Sequence, residues 1–323
     1  MITLKTARVE QFAVDGSFVI SRGPKTSVDV VYCEVTDGTH IGRGEGTPIY
    51  YEGETAELCL AAIEQRARQP DPLTRENLLQ TMTEGAARNA LDCALWDLEV
   101  HATGTPLWTL AGLPRPKPLV TAYTISLNDP ATMQAAAAKA AASGYPLLKL
   151  KLNGQDDLAR VTAVRLGAPQ ARLIIDANEA WGNVDIADLT YSLKQLGVEL
   201  VEQPVEAGHE DALDGIVSSL PLCADESCHV AEDIDRVAGI FQAVNIKLDK
   251  AGGLTEALRL SHAAKARGLK TMVGCMLSTS LGIHPAFHLA QTADWVDLDG
   301  PALLKQDRAN GFGFTQGHIS LPS

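Results

Sequence analysis

From Leu119 onward the chain repeats one pattern, and that pattern limits the fold more than any other feature. Short apolar runs recur at 119–125 (LVTAYTI), 147–152 (LLKLKL), 172–177 (RLIIDA), 198–202 (VELVE), 221–225 (PLCAD), 243–248 (AVNIKL), 270–274 (KTMVG) and 295–299 (WVDLD). Each has the length of a strand, and most are continuously apolar, as expected of strands covered on both faces of a parallel sheet. Stretches of helical character separate them, such as 130–143 (PATMQAAAAKAAAS) and 254–267 (LTEALRLSHAAKAR). Eight strand–helix units predict a closed parallel barrel. After Asp299 come Gly-Pro and a Gly-rich tail, so the eighth helix is expected to be missing. The predicted architecture is a TIM-like (β/α)7β barrel of the α/β class.

The N-terminal third follows different rules. The alternating, β-branched run 27–35 (SVDVVYCEV) and the run 39–47 (THIGRGEGT) flank Asp37-Gly38, which predicts a hairpin. Helical patterns follow at 54–69, 73–83 and 86–101, the last with Leu91, Leu95 and Leu98 on one face and Gly104 as its stop. Residues 1–115 therefore read as an α+β capping domain, and the segment LPRPKPL as a stiff linker. The barrel is assigned to 116–304, and 305–323 is expected to return to the capping domain.

Composition excludes several functions. Forty Asp and Glu against 27 Lys and Arg give a net charge of −13. Such a surface repels phosphate backbones and anionic lipid, so neither nucleic acid nor membrane is an expected partner. No apolar run is long enough to span a bilayer, and no signal-peptide pattern opens the chain. Cys33, Cys59, Cys93, Cys223, Cys228 and Cys275 form no C-x-x-C pair, which predicts reduced, packed thiols and a cytoplasmic setting. Oligomeric state is not legible, and a homo-oligomer remains open.

The chemistry lies at the strand ends. Lys151, Asp176, Glu202, Asp225 and Lys247 close successive apolar runs, at steps of 25, 26, 23 and 22 residues. The C-terminal ends of barrel strands ring a single mouth, so this spacing predicts one pocket. Three converging carboxylates repel one another unless a cation joins them. The all-oxygen set, with no His or Cys, points to a hard ion, best Mg²⁺. Lys151 and Lys247 would flank that ion, with pKa values lowered enough to act as bases. A base on each face of a planar carbanion is what racemisation or epimerisation needs. A metal on the substrate carboxylate would hold the enediolate.

The set KLK (149–151), IIDANEAW, VEQP, ADES and NIKLDKAGG, with AARNALDCALWDL and the closing DLDGP, resembles the muconate-lactonizing subgroup of the enolase superfamily. Within it the chain is most similar to the dipeptide epimerases, in particular those acting on L-Ala-D/L-Glu. The resemblance implies Asp176, Glu202 and Asp225 as Mg²⁺ ligands and Lys151 and Lys247 as the acid/base pair. It also implies Lys149 as a holder of the substrate carboxylate and Arg22 as a partner for the substrate side chain. Asp297 and Asp299, at i and i+2, suit the free ammonium of a dipeptide. Thr124, Met276 and Ser278 are weaker pocket candidates. The loop TPIYYEGE, with Tyr50 and Tyr51, is expected to cover the mouth and tune side-chain preference. The expected activity is isomerase chemistry on a small dipeptide, in the setting of cell-wall peptide breakdown. The alternatives are another reaction of the subgroup (N-acylamino acid racemase, o-succinylbenzoate synthase or cycloisomerase), a dipeptide epimerase of different side-chain specificity, and a non-catalytic binding barrel.

Two further signals are read as structural. His284 and His288 are four apart but lack an H-E-x-x-H pattern. Gly42, Gly44 and Gly46 alternate within a strand-like run and do not open a helix, so they are not a dinucleotide loop.

Overall fold

The computed structural model describes residues 1–20 and 23–322. Three long strands open the chain: β1 (Thr3–Ile20), β2 (Gly23–Thr36) and β3 (Ile41–Gly46). They form an antiparallel sheet in the order β1-β2-β3. Three helices follow, α1 (Ala56–Ala67), α2 (Arg75–Thr81) and α3 (Ala86–Thr103). Thr55 and Thr74 cap the first two, each accepting a hydrogen bond from a backbone N–H in the first turn. Gly104, in the left-handed conformation, ends α3.

The alternating glycines have a packing role. A Cβ on Gly42, Gly44 or Gly46 would lie 2.1, 1.9 or 2.1 Å from the carbonyl oxygen of Ala94, Ala90 or Ala86. Strand β3 thus lies directly on the backbone of α3. Its glycines recur every two residues, and the alanines opposite them recur every helical turn.

A short helix, α4 (Leu107–Leu110), leads through the proline-rich linker to β4 (Leu119–Val120) and then the barrel. The barrel alternates β5 (Tyr123–Ile125), α5 (Pro130–Ala142), β6 (Leu147–Lys151), α6 (Asp157–Gly167), β7 (Arg172–Asp176), α7 (Ile186–Gln195), β8 (Val198–Glu202) and β9 (Leu222–Ala224). It continues with α8 (Ile234–Val237), β10 (Ala243–Lys247), the single turn α9 (Leu248–Ala251), α10 (Leu254–Ala266), β11 (Lys270–Gly274), α11 (Ser280–Ala290) and β12 (Trp295–Asp297). The eight strands β5 to β12 pair in chain order, with parallel register throughout. The backbone N–H of Ala122 donates to the Val296 carbonyl at 2.8 Å, drawing the two edges together. Only a 3₁₀ turn, Gly300–Leu303, follows β12, in the place of an eighth helix.

The run 119–125 is not one strand, as its apolar pattern predicted. Thr121 interrupts it by donating its N–H to Gly317 O and accepting the Leu298 N–H on its hydroxyl. β4 therefore leaves the barrel and pairs with β14 (His318–Ser320), which itself pairs with β13 (Gly313–Thr315).

Inside the barrel, one buried layer is built from Ala122, Leu147, Ile174, Leu200, Cys223, Ala243, Met272 and Trp295. Side chains two residues further along a strand point the same way. Two residues above this apolar floor stand Thr124, Lys149, Asp176, Glu202, Asp225, Asn245, Gly274 and Asp297. The period of the strand thus turns a hydrophobic plug into a polar mouth within a single step.

Candidate active site

Asp176, Glu202 and Asp225, at or just past the ends of β7, β8 and β9, are buried and converge. One carboxylate oxygen from each lies within 4.8 Å of the others, and among the described residues no other His, Cys, Asp or Glu cluster does this. Four ammonium groups surround them. Lys149 Nζ sits 3.1 Å from Asp176 Oδ2 and 2.6 Å from Glu202 Oε2. Lys151 Nζ is 2.6 Å from Asp176 Oδ2, and Lys247 Nζ is 2.5 Å from Asp225 Oδ2. Lys250 Nζ lies 2.7 Å from Asp225 Oδ1 and donates to the carbonyls of Asp225, Cys228 and Asn245.

Glu202 Oε2 and Asp225 Oδ1 are fully buried and accept no well-directed hydrogen bond, although lysine nitrogens approach each. Three buried, converging carboxylates whose charge is met only by ammonium groups suit a hard divalent cation. The other oxygen of Glu202 accepts from Asn245 Nδ2 at 2.7 Å. Asn245 fills the space that Gly274 leaves: a Cβ at Gly274 would stand 2.6 Å from its Oδ1.

The electrostatics run in both directions. Burial raises the Asp176 carboxyl, but the Lys151 and Lys149 ammoniums outweigh it and hold the group below the usual carboxylate range. Burial and the neighbouring Asp176 push Glu202 up. Asp299 is raised to about 7 by burial and by Asp297. The sequence expectation of a lowered Lys247 pKa is for a site holding a cation; the protein's own groups alone act the other way. Burial pulls it down, but Asp225 and Glu202 prevail and hold it well above its ordinary value. Lys149 behaves alike, with Asp297 the strongest of its opposing charges.

The structure brings nearly all the sequence candidates together. Thr124, Lys149, Lys151, Asp225, Lys247, Met276, Asp297 and Asp299 line one cavity, which Tyr50 and Tyr51 cover from the N-terminal unit. Thr124 contributes its backbone N–H, which donates to Asp299 Oδ2 at 2.8 Å. Ser278 is buried and turns away to donate to Met276 O. Arg22 lies outside the described residues. His288 is buried in α11 and stacks edge-on against His284 at 4.9 Å between ring centroids, as a packed pair.

Among the wall residues that sequence reasoning passed over, Lys25, Asn178, Glu226 and Cys275 carry polar or thiol side chains. Lys25 Nζ stands 3.5 Å from the centre of the Tyr50 ring. Its signal was present in the loop ISRGPK, two residues beyond the glycine that follows Arg22. The six cysteines are free, and only Cys275 reaches the cavity. Burial and Asp299 hold its thiol protonated, well above the ordinary value.

Comparison with known proteins gives a consistent picture. Residues 2–112 match the mandelate racemase / muconate lactonizing enzyme N-terminal domain, and 132–323 match the enolase C-terminal domain-like family. The chain is 40% identical to the L-Ala-D/L-Glu epimerase of Escherichia coli K12, over 98% of this chain and 100% of that protein. It is 44% identical to an N-acetyl-D-glutamate racemase of Pseudoalteromonas, over 75% of this chain and 76% of the other. An enolase family member from Agrobacterium tumefaciens, with homology to dipeptide epimerases and solved with sodium and L-Ala-L-Glu, is 47% identical. It superposes with a TM-score of 0.94, covering 100% of this chain and 98% of that one. The Enterococcus faecalis dipeptide epimerase complexed with Mg and L-Leu-L-Tyr is 29% identical at a TM-score of 0.92, covering 99% and 97%. With two domain matches spanning most of its length and a mouth of three carboxylates ringed by lysines, this chain belongs to the mandelate racemase / muconate lactonizing enzyme family of the enolase superfamily.

Proposed function

We propose that the protein is a Mg²⁺-dependent dipeptide epimerase, an isomerase that inverts the α-carbon of the C-terminal residue. L-Ala-D-Glu and L-Ala-L-Glu are the best-supported pair. One observation carries this reading. Lys151 ends β6 and Lys247 ends β10, the second and sixth of eight strands, so the two amines stand on opposite sides of one carboxylate cluster.

Asp176, Glu202 and Asp225 would hold the Mg²⁺. When bound, the ion would offset the carboxylate charge that holds Lys247 well above its ordinary value and would take up the charge that builds on the substrate carboxylate as the α-proton leaves. The remaining roles fall to the chain's own side chains. One lysine accepts the α-proton, and the other donates a proton to the opposite face of the flattened carbon. Lys149 fixes the substrate carboxylate. Asp297 and Asp299 face the N-terminal ammonium, and Lys25 beside Tyr50 faces an anionic side chain. Arg22 is assigned to that same side chain from its place in the sequence. Met276 and the backbone of Thr124 shape the wall.

A second reading has its own observation. Asp297 is already paired with Lys149 at 2.8 Å, and Asp299 is capped by Thr124 N–H and raised to about 7. This muted negative charge tolerates a neutral acyl group in place of an ammonium. N-acetylglutamate, the type of substrate named for the Pseudoalteromonas relative, shares the glutamate half with L-Ala-Glu.

The division into a cap (1–115), a barrel (116–304) and a returning segment (305–323) is likewise proposed. Arg308 supports it by pairing with Glu10 and Glu45 of the N-terminal sheet. Cytoplasmic breakdown of cell-wall peptides is the proposed setting. It is supported by the proposed substrate pair; among the described residues no helix is long and apolar enough to cross a membrane.

Incubation with Mg²⁺ in D₂O, followed by proton NMR, tests the function. Loss of the Glu α-proton with a new diastereomer of L-Ala-L-Glu is expected. Faster turnover of N-acetyl-L-glutamate would select the second reading. No exchange with either substrate, or with apolar dipeptides, would remove both.

A further inference from the structure

The two lysines differ in what holds them. The segment just after Lys247 is tied to the N-terminal unit through one face of α3. Arg88, Asn89, Asp92 and Trp96, at i, i+1, i+4 and i+8, all reach residues 249–255. Asp249 Oδ1 accepts from Asn89 Nδ2 at 2.7 Å and from the Thr47 N–H at 2.8 Å. Arg88 donates to Gly252 O at 3.1 Å and to Ala251 O at 2.7 Å. Asp92 accepts from the N–H of Thr255 at 2.9 Å and from its hydroxyl at 2.5 Å, and Trp96 Nε1 donates to that hydroxyl at 2.9 Å.

The backbone is shaped for this contact. Gly252 and Gly253 have φ of 70° and 121°. A Cβ on either would fall 2.3 Å from Arg88 Nε or 2.4 Å from Asp92 Oδ2. Lys151 has no such tie. Its following turn is held within the barrel, with Leu152 N–H on Asp176 O and the N–H groups of Asn153 and Gly154 on Asp157. Among the described residues, no hydrogen bond of 147–157 reaches the N-terminal unit.

We infer that Asn89 and Asp249 are positioning residues for Lys247, through which the N-terminal unit sets one of the two proton-transfer half-reactions while the barrel alone sets the other. Asp249 sits two residues beyond Lys247, in the turn that continues its strand. Its two donors come from β3–α1 and from α3, so the lysine's backbone is referenced to the cap. This inference rests on the two-lysine reading above. It requires that the halves respond separately, because each base exchanges the α-proton of only one epimer.

The test is deuterium wash-in from D₂O with the Mg²⁺-loaded, full-length protein, starting in turn from L-Ala-L-Glu and L-Ala-D-Glu. In Asn89→Ala and Asp249→Ala, exchange from one epimer should fall about tenfold or more, the scale set by small misplacements of a catalytic group. Exchange from the other epimer should stay within about twofold, and Lys247→Ala should silence the same epimer. Asp249→Asn keeps an acceptor oxygen facing Thr47 and Asn89 and should restore the balance. Thermal melts confirm folding, and if Asp249→Ala fails to fold, Asn89→Ala carries the comparison alone. Equal losses for both epimers in a folded variant, or no loss for either, would overturn the inference and leave the epimerase reading intact. A wild-type protein that exchanges neither epimer would overturn both.

Discussion

Lys149 Nζ and Asp297 Oδ2 lie 2.8 Å apart, joining the second barrel strand to the eighth across the mouth. The same ammonium also touches Asp176 and Glu202, and it is only 2% exposed. One buried cation is therefore shared by three buried anions. Removing one member of such a group is far more disruptive than its net contribution suggests, because the partners stay buried and uncompensated.

Lys149→Met should therefore destabilise the metal-free protein by about 3–5 kcal/mol. With a competing cation gone from the carboxylates, Mg²⁺ should raise the Tm of the variant more than that of the wild type. Melts with and without Mg²⁺ check this, and an equal shift in the two proteins would contradict it.

Lys151→Ala should lower interconversion by about 10²-fold or more, the range expected for loss of a general base. The Mg²⁺-induced rise in Tm should survive. At a metal concentration 100 times Kd, that rise reflects about 2.7 kcal/mol of stabilisation. Asp225→Asn should lose much of it. Chelation by EDTA should abolish turnover of the wild type, and re-addition of Mg²⁺ should restore it.

Gly44→Ala would put a methyl group 1.9 Å from the Ala90 carbonyl oxygen. The sheet and α3 must then separate, at a cost of about 1–3 kcal/mol. Gly239→Ala meets nothing within 4 Å, and its effect should stay within about 0.5 kcal/mol. Denaturant midpoints compare the two.

His288 provides a pH test. Burial, followed by the neighbouring His284, lowers its pKa from 6.5 to about 3. The unfolded chain therefore takes up a proton at a pH where the folded chain does not. Stability supplied by the neutral ring is complete above pH 6.5 and is lost as pH falls toward 3. His288→Phe should flatten this part of the acid limb in denaturant titrations between pH 7 and 4. An unchanged slope would mean that the ring is charged in the folded protein.

The sequence exposed the barrel and its charged mouth because both depend on local rules. Strand length and apolar runs mark β6 to β12, and the period of two carries Leu147 to Lys149 and Ile174 to Asp176. The split at Thr121 was hidden, because it depends on Gly317 and Leu298, partners remote in sequence. Lys250 reads as an ordinary lysine until three carbonyls and Asp225 enclose it. The upward pull on Lys247 from the carboxylates alone was hidden for a related reason. Burial alone was legible, whereas the nearness of Asp225 and Glu202 is a tertiary fact. The glycines of β3 read only as alternating positions in a strand, and their partner, the alanine face of α3, was visible only in three dimensions.

The pairing of β4 with β14 bears on how the chain folds during synthesis. Residues 119–120 emerge before any barrel strand, whereas 318–320 emerge after all eight. Until they appear, the first and last staves meet only through contacts such as Ala122 with Val296 and Thr124 with Asp299, and 119–120 lacks its partner strand. A ribosome stalled before β14 should thus hold a cylinder whose entry segment is open to protease, and release of the downstream segment should cover it.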